Sequence, residues 1–114
     1  MSNSQYIFNL DIHSTQSQIF LPVVLGDTAR TLLINLRENG KPYIFEEGTT
    51  VEFSGKKSDG TILSANCNIL DNGVVQYDFT SQTASTAGLV ECRLRIGGLN
   101  NKIISSPKFF LVVD

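Results

Sequence analysis

The chain has 114 residues, room for one domain and not two. Its 41% hydrophobic residues supply a real core, and its 18% charged residues with a net charge of −2 exclude both a disordered polyelectrolyte and a basic nucleic-acid binder. A single domain spanning residues 1–114 is the expectation.

Taken in chain order, Met1 to Gln5 carry neither a positive n-region nor a following apolar h-region, so no secretory signal is read here. The longest apolar runs, such as Phe109 to Val113, fall far short of a membrane span. Synthesis in the cytoplasm of the cell and no association with membrane are expected. From Tyr6 onward the dominant hydrophobic period is two, the signature of strands with one buried face. Tyr6, Phe8, Leu10 and Ile12 alternate with Ile7, Asn9 and Asp11. Leu32, Ile34 and Leu36 alternate with Leu33, Asn35 and Arg37, and Val51, Phe53 and Gly55 oppose Glu52, Ser54 and Lys56. Val75, Tyr77 and Phe79 form one phase of a later strand, and Val90, Cys92, Leu94 and Ile96 that of another; Phe109, Leu111 and Val113 close the series.

Strands are predicted near residues 5–12, 17–21, 30–37, 50–57, 61–70, 73–80, 89–96 and 108–113. Gly26-Asp27, Asn39-Gly40, Asp59-Gly60, Asn72-Gly73, Gly97-Gly98 and Asn100-Asn101 mark turns, because these residues tolerate positive φ. Pro22, Pro42 and Pro107 stand at the ends of runs, where a missing N–H does little harm. The small polar stretch 81–88 reads as a loop crossing between sheets, with one helical turn as the alternative. The pattern predicts an all-β, two-layer antiparallel β-sandwich, immunoglobulin-like, of about seven or eight strands. A closed barrel is the runner-up.

Residues that could carry chemistry are few. His13, the one histidine, lies at the end of a strand with no Gly-x-Ser-x-Gly turn in the chain to partner it, and reads as a solvated loop residue. Cys67 and Cys92 are 25 positions apart with no Cys-x-x-Cys pair, which argues against zinc; they read as free buried thiols, with a cross-sheet disulfide as the alternative. Adjacent Glu46 and Glu47 point to opposite faces of an extended segment and make no catalytic pair. Asp71-Asn72-Gly73 lacks the rest of a calcium loop and reads as a hairpin turn. No catalytic, cofactor or metal site is assigned, and the chain is not expected to be an enzyme.

Lys56-Lys57 and Arg93/Arg95 are the basic groupings. Arg93 and Arg95 share the outward face of one strand, as either a partner-facing stripe or a solvated face that resists aggregation. No stacking aromatics accompany them, which argues against nucleic acid. Tyr43-Ile44-Phe45 cannot all point inward, so at least one is exposed or covered by a loop or partner. Tyr43, Ile44, Phe45, Arg93 and Arg95 are the candidate partner-binding residues.

The ordered series Phe8 to Ile12, Gly26-Asp27, Leu32 to Leu36, Gly40 to Pro42 and Gly48 to Phe53 resembles the N-terminal domain of siphophage baseplate upper proteins. The resemblance continues through Lys57-Ser58-Asp59-Gly60-Thr61, Val75-Gln76-Tyr77, Gly88 to Ile96 and Ser106 to Val113. Its most specific part is the Val-x-Phe strand running into Lys-x-Asp-Gly-Thr.

The resemblance implies a structural virion protein of a phage or prophage tail baseplate. It implies docking on the tail-tip hub, the distal tail protein, while a C-terminal region carries the receptor-binding proteins, often through trimeric helices. The chain is then the N-terminal attachment domain of a longer protein, with self-association in the virion as a further expectation. The sequence stops at Asp114, which leaves trimerisation and receptor-binding-protein attachment outside what the resemblance carries over. The competing expectation is a carbohydrate-binding β-sandwich module for host-surface adhesion. It needs exposed aromatic rings, yet tryptophan is absent and Tyr6, Tyr43 and Tyr77 lie in or beside strands.

Overall fold

A computed structural model gives the structure of residues 4–13, 19–98 and 102–114. Two sheets pack face to face as a sandwich. The first contains β1 (Ser4–Asp11), β3 (Arg30–Glu38), β8 (Val74–Asp78) and β7 (Asn68–Ile69) in the order β1-β3-β8-β7, with β4 (Lys41–Pro42) a short hairpin return on β3. The second contains β2 (Phe20–Val23), β11 (Phe109–Val113), β9 (Gly88–Gly97), β5 (Thr50–Lys56) and β6 (Ile62–Asn66) in the order β2-β11-β9-β5-β6, with β10 (Ile103–Ser105) pairing the far end of β9.

The sandwich and its alternating burial are as the sequence predicts; the sheets do not close into a barrel. Both sheets are mixed, however. Among the described residues β1 pairs β3 in parallel and β2 pairs β11 in parallel, and the other pairings are antiparallel. The cause is topological. After β1 the chain leaves the first sheet, forms β2 on the second, and returns as β3, so the strand it rejoins runs the same way. Strand β2 begins at Phe20; the expected start at 17 lies outside the described residues, as do Asn100 and Asn101.

Strands β6 and β7 occupy the single run expected over 61–70. The run bends at Cys67, whose N–H donates to Val51 O at 2.8 Å, and there the chain passes from the second sheet to the first. Residues 81–87 form turns and make the opposite crossing from β8 to β9, the loop reading of that stretch.

The core follows the apolar phases. Leu32, Ile34, Leu36, Val75 and Tyr77 from one sheet meet Val51, Phe53, Val90, Cys92, Leu94, Phe109 and Leu111 from the other, all at most 2% exposed. Phe53 lies at its centre: its ring stacks on Tyr77 across the sheets at 3.9 Å between centroids and meets Phe109 at 6.1 Å. Phe109 in turn contacts Phe8 of β1 at 5.2 Å.

Two glycines are dictated by close approach. Gly73, in the 3₁₀ turn Asp71–Gly73 between β7 and β8, has φ +78°, and a Cβ there would lie 2.8 Å from Tyr43 N and 2.9 Å from Leu36 O. Gly88 opens β9 at φ +119°, and a Cβ would meet Ser58 Oγ at 2.7 Å. The Asp71-Asn72-Gly73 segment is thus a hairpin turn, with Leu70 N–H donating to Val74 O at 2.8 Å.

Candidate functional site: the outer face of the second sheet

The Lys57–Thr61 turn joins β5 to β6. Lys57 N–H donates to Thr61 O, Gly60 N–H to Lys57 O, and Asp59 Oδ1 accepts from Thr61 N–H, each at 2.9 Å. Hydrogen bonding from Thr61, backbone first, holds the Asp59 carboxyl below its ordinary pKa. The same turn grips the crossing loop: Ser58 Oγ donates to Ala87 O at 2.7 Å, and Thr86 Oγ1 donates to Asp59 Oδ2 at 3.3 Å. Lys57 is buried, with Nζ donating to Ser85 Oγ at 2.6 Å. It is an internal tie between turn and loop, so the basic pair read from the sequence divides: Lys56 is exposed and Lys57 is not.

His13 is exposed, and its Nε2 lies 3.2 Å from Glu38 Oε2, a surface contact at the rim of the first sheet. Cys67 and Cys92 are both free thiols. Burial pushes Cys67 up to about 12 and raises Cys92 further, so neither is a ready nucleophile. No cluster of three metal-ligating groups occurs among the described residues. Glu46 and Glu47 are exposed beside a turn.

Tyr43, Ile44 and Phe45 divide as strand geometry requires. Tyr43 and Phe45 turn toward the core with their rings 5.0 Å apart, while Ile44 is 84% exposed. Burial, with Glu38 and Glu46 nearby, pushes the Tyr43 phenol up. Tyr43 and Ile44 line one wall of a shallow depression of about 180 Å³ at the open end of the sandwich, with Ile96, Ile104, Glu46 and Lys102 around it. Arg93 and Arg95 do not line that depression; they project from the outer face of β9. The five candidate partner-binding residues therefore fall into two places.

The outer face of the second sheet is built from the phase opposite the core. Register sets Phe20 beside Phe110 and Pro22 beside Val112, then Val112 beside Leu89 of β9. Phe20 and Phe110 stack at 5.0 Å with 13° between their planes. Phe20 and Leu89 are each 49% exposed, and Val24, next after β2, is 56% exposed. An apolar stripe thus crosses β2, β11 and β9 on the side away from the core.

Its neighbour on the same face is charged. Glu91 accepts from Lys108 Nζ at 2.6 Å, and Lys56, Arg93, Lys108 and Glu91 line a shallow hollow with Ile62. The Lys108 hydrogen bond, helped by the charges of Arg93 and Lys56, holds Glu91 below its ordinary pKa. Arg95 faces Glu52 at 4.0 Å.

The reading of 109–113 as a one-faced strand missed this stripe. The signal was in the sequence: Phe109-Phe110-Leu111-Val112-Val113 and Phe20 to Leu25 are unbroken apolar runs, and a strand with no alternation is apolar on both faces.

A structure described as the N-terminal domain of phage TP901-1 ORF48 shares the fold, with a TM-score of 0.79 at 16% sequence identity over 97% of this chain and 98% of that one. No curated protein sequence matches the chain. The family model for the BppU N-terminal domain matches residues 4–114, from the first residue of β1 to the end of the chain, and the protein therefore belongs to this family of structural proteins of the phage tail baseplate.

Proposed function

We propose that this domain is the N-terminal attachment domain of a longer baseplate protein. It docks on the tail-tip hub through the distal tail protein and helps to carry the receptor-binding proteins, after synthesis in the bacterial host cytoplasm. It works as a rigid adaptor and catalyses nothing; its partners are proteins, including other copies in the virion, and neither nucleic acid nor membrane. Tyr43, Ile44 and Phe45 at the sandwich end and Arg93 and Arg95 on β9 contribute contacts.

The observation that carries the reading is the outer face of the second sheet. A sheet face exposed to water normally shows polar side chains, whereas this one presents stacked phenylalanines beside a cluster of cations. A contiguous apolar surface with a polar border is the ordinary composition of a protein interface. The family membership supplies the setting in which such an interface is used.

The test is to mix the domain with the distal tail protein of the same phage or prophage at micromolar concentration and follow the mixture by size-exclusion chromatography with light scattering. Co-elution as a defined complex is the expected result. Separate elution of the two proteins overturns direct docking.

A further inference from the structure

We propose that the outer face of the second sheet is the primary docking surface of this domain, and that its occupant is another tail protein presenting an apolar segment bordered by carboxylates. The inference deepens the attachment role proposed above and rests on it.

Charge decides the occupant. Six ionisable side chains lie on this face, borne by β5, β9 and the residue before β11: Lys56, Arg93, Arg95 and Lys108 against Glu52 and Glu91. Asp114, next after β11, adds a seventh at the far end of the stripe: its N–H donates to Val23 O at 2.9 Å and its O accepts from Leu25 N–H at 3.1 Å, which sets it beside Val24. Of the chain's nine cations and eleven anions, the face takes four and three, which leaves five cations and eight anions elsewhere. The domain as a whole is acidic while this face is basic. Two copies set face to face would juxtapose two cationic surfaces, which like-charge repulsion opposes. A partner with an acidic border meets no such opposition, and guanidinium groups such as Arg93 and Arg95 suit planar, two-point recognition of carboxylates.

The face is engaged through side chains and not through a sheet edge. Strand β2, the edge nearest the stripe, contains Pro22, which has no N–H to offer an added strand. The stacked Phe20–Phe110 pair is fixed in place before binding, so little rotamer entropy is lost on contact. The Tyr43–Ile44 depression is the weaker candidate: Glu46 and Lys102 beside it are of opposite sign, giving no net charge preference.

The experiment measures affinity of the domain for the distal tail protein of the same phage or prophage by biolayer interferometry. It uses Leu89→Ser, Phe20→Ser/Leu89→Ser and Arg93→Glu, with Ile44→Ser at the sandwich end and Ile7→Ser on the first sheet as comparisons. Thermal melting confirms folding of each variant; Leu89→Ser and Arg93→Glu touch only half-exposed or exposed side chains, so the test survives failure of the double variant. The face variants are expected to weaken binding by about tenfold or more, as buried anchors do. Arg93→Glu is also expected to flatten the loss of affinity between about 50 and 300 mM salt, since screening acts on the charge it reverses. Ile7→Ser is expected to bind within about twofold of the unaltered domain, as surface positions outside the contact do, and Ile44→Ser, at a secondary contact, to weaken binding by less than the face variants do.

Binding that survives the face variants but falls with Ile44→Ser or Ile7→Ser overturns this assignment and leaves docking intact. Self-association of the domain that the face variants abolish overturns the assigned occupant. No binding by the unaltered domain overturns the docking role and this inference with it.

Discussion

The Tyr77 hydroxyl lies 2.7 Å from Thr83 Oγ1, and both side chains are buried. Thr83 Oγ1 also accepts the N–H of Thr80 at 2.9 Å, so one side chain of the crossing loop satisfies a tyrosine from the core and the backbone at the loop's own start. Replacing Thr83 by Val leaves the Thr80 N–H without this acceptor and the Tyr77 hydroxyl without this partner. The expected loss is ~2 kcal/mol, the cost of unsatisfied buried polar groups, and Thr83→Ser should restore most of it. Urea denaturation of the three proteins checks both.

Gly73 and Gly26 separate two effects. Both have positive φ, but a Cβ at Gly26 meets nothing within 4 Å, whereas one at Gly73 runs into the backbone of Tyr43 and Leu36. Gly26→Ala should cost about 1 kcal/mol from the left-handed conformation alone. Gly73→Ala should cost at least twice that, because backbone cannot step aside as a flexible side chain can. Equal melting temperatures for the two variants would refute the clash.

Phe53 and Phe20 are both stacked phenylalanines on opposite faces of the same sheet. Phe53 is fully buried against Tyr77 and Phe109, so Phe53→Ala should destabilise by about 3–5 kcal/mol. Phe20 is half exposed, and Phe20→Ala should cost about 1 kcal/mol, chiefly the stacking with Phe110. Chemical denaturation ranks them; a Phe20 effect as large as that of Phe53 would mean that the outer face is structural.

Burial raises the Cys67 thiol from an ordinary value of 9.0 to about 12. The folded state therefore holds its proton at pH values where the unfolded chain has released it. The stabilisation is complete below pH 9 and is lost as pH rises toward 12. Stability measured across that window should fall less steeply in Cys67→Ala than in the unaltered protein. Alkylation of both thiols at pH 8 should be slow until denaturant is added, since neither cysteine is freely exposed.

Much of the fold was legible in the sequence because burial and alternation are the same signal. The inward phases Leu32–Ile34–Leu36, Val51–Phe53 and Val90–Cys92–Leu94–Ile96 are buried as read. What alternation does not encode is the direction of the neighbouring strand, so the parallel β1–β3 and β2–β11 pairs were not visible. Strands β4 and β10, of two and three residues, are too short to show a period. For the site, Arg93 and Arg95 were correctly set on an outward phase, and the exposed residue within Tyr43–Phe45 is Ile44. Lys57 looked like half of a basic pair because sequence shows charge and not the loop folded over it. The apolar stripe escaped because the strand over 109–113 was assigned a single apolar face and the one near 17–21 no face at all.

The parallel ladder between β2 and β11 has a mechanical consequence. Its four register pairs, from Phe20↔Phe110 to Val23↔Val113, join a strand near the beginning of the sequence to one at its end, running the same way. A pull on the N-terminal side of β2 against the C-terminal side of β11 acts lengthwise on that ladder. Its hydrogen bonds then share the load in shear and do not open one after another like a zip. A domain strained between two attachment points is thereby fastened along the seam where tension would first separate it.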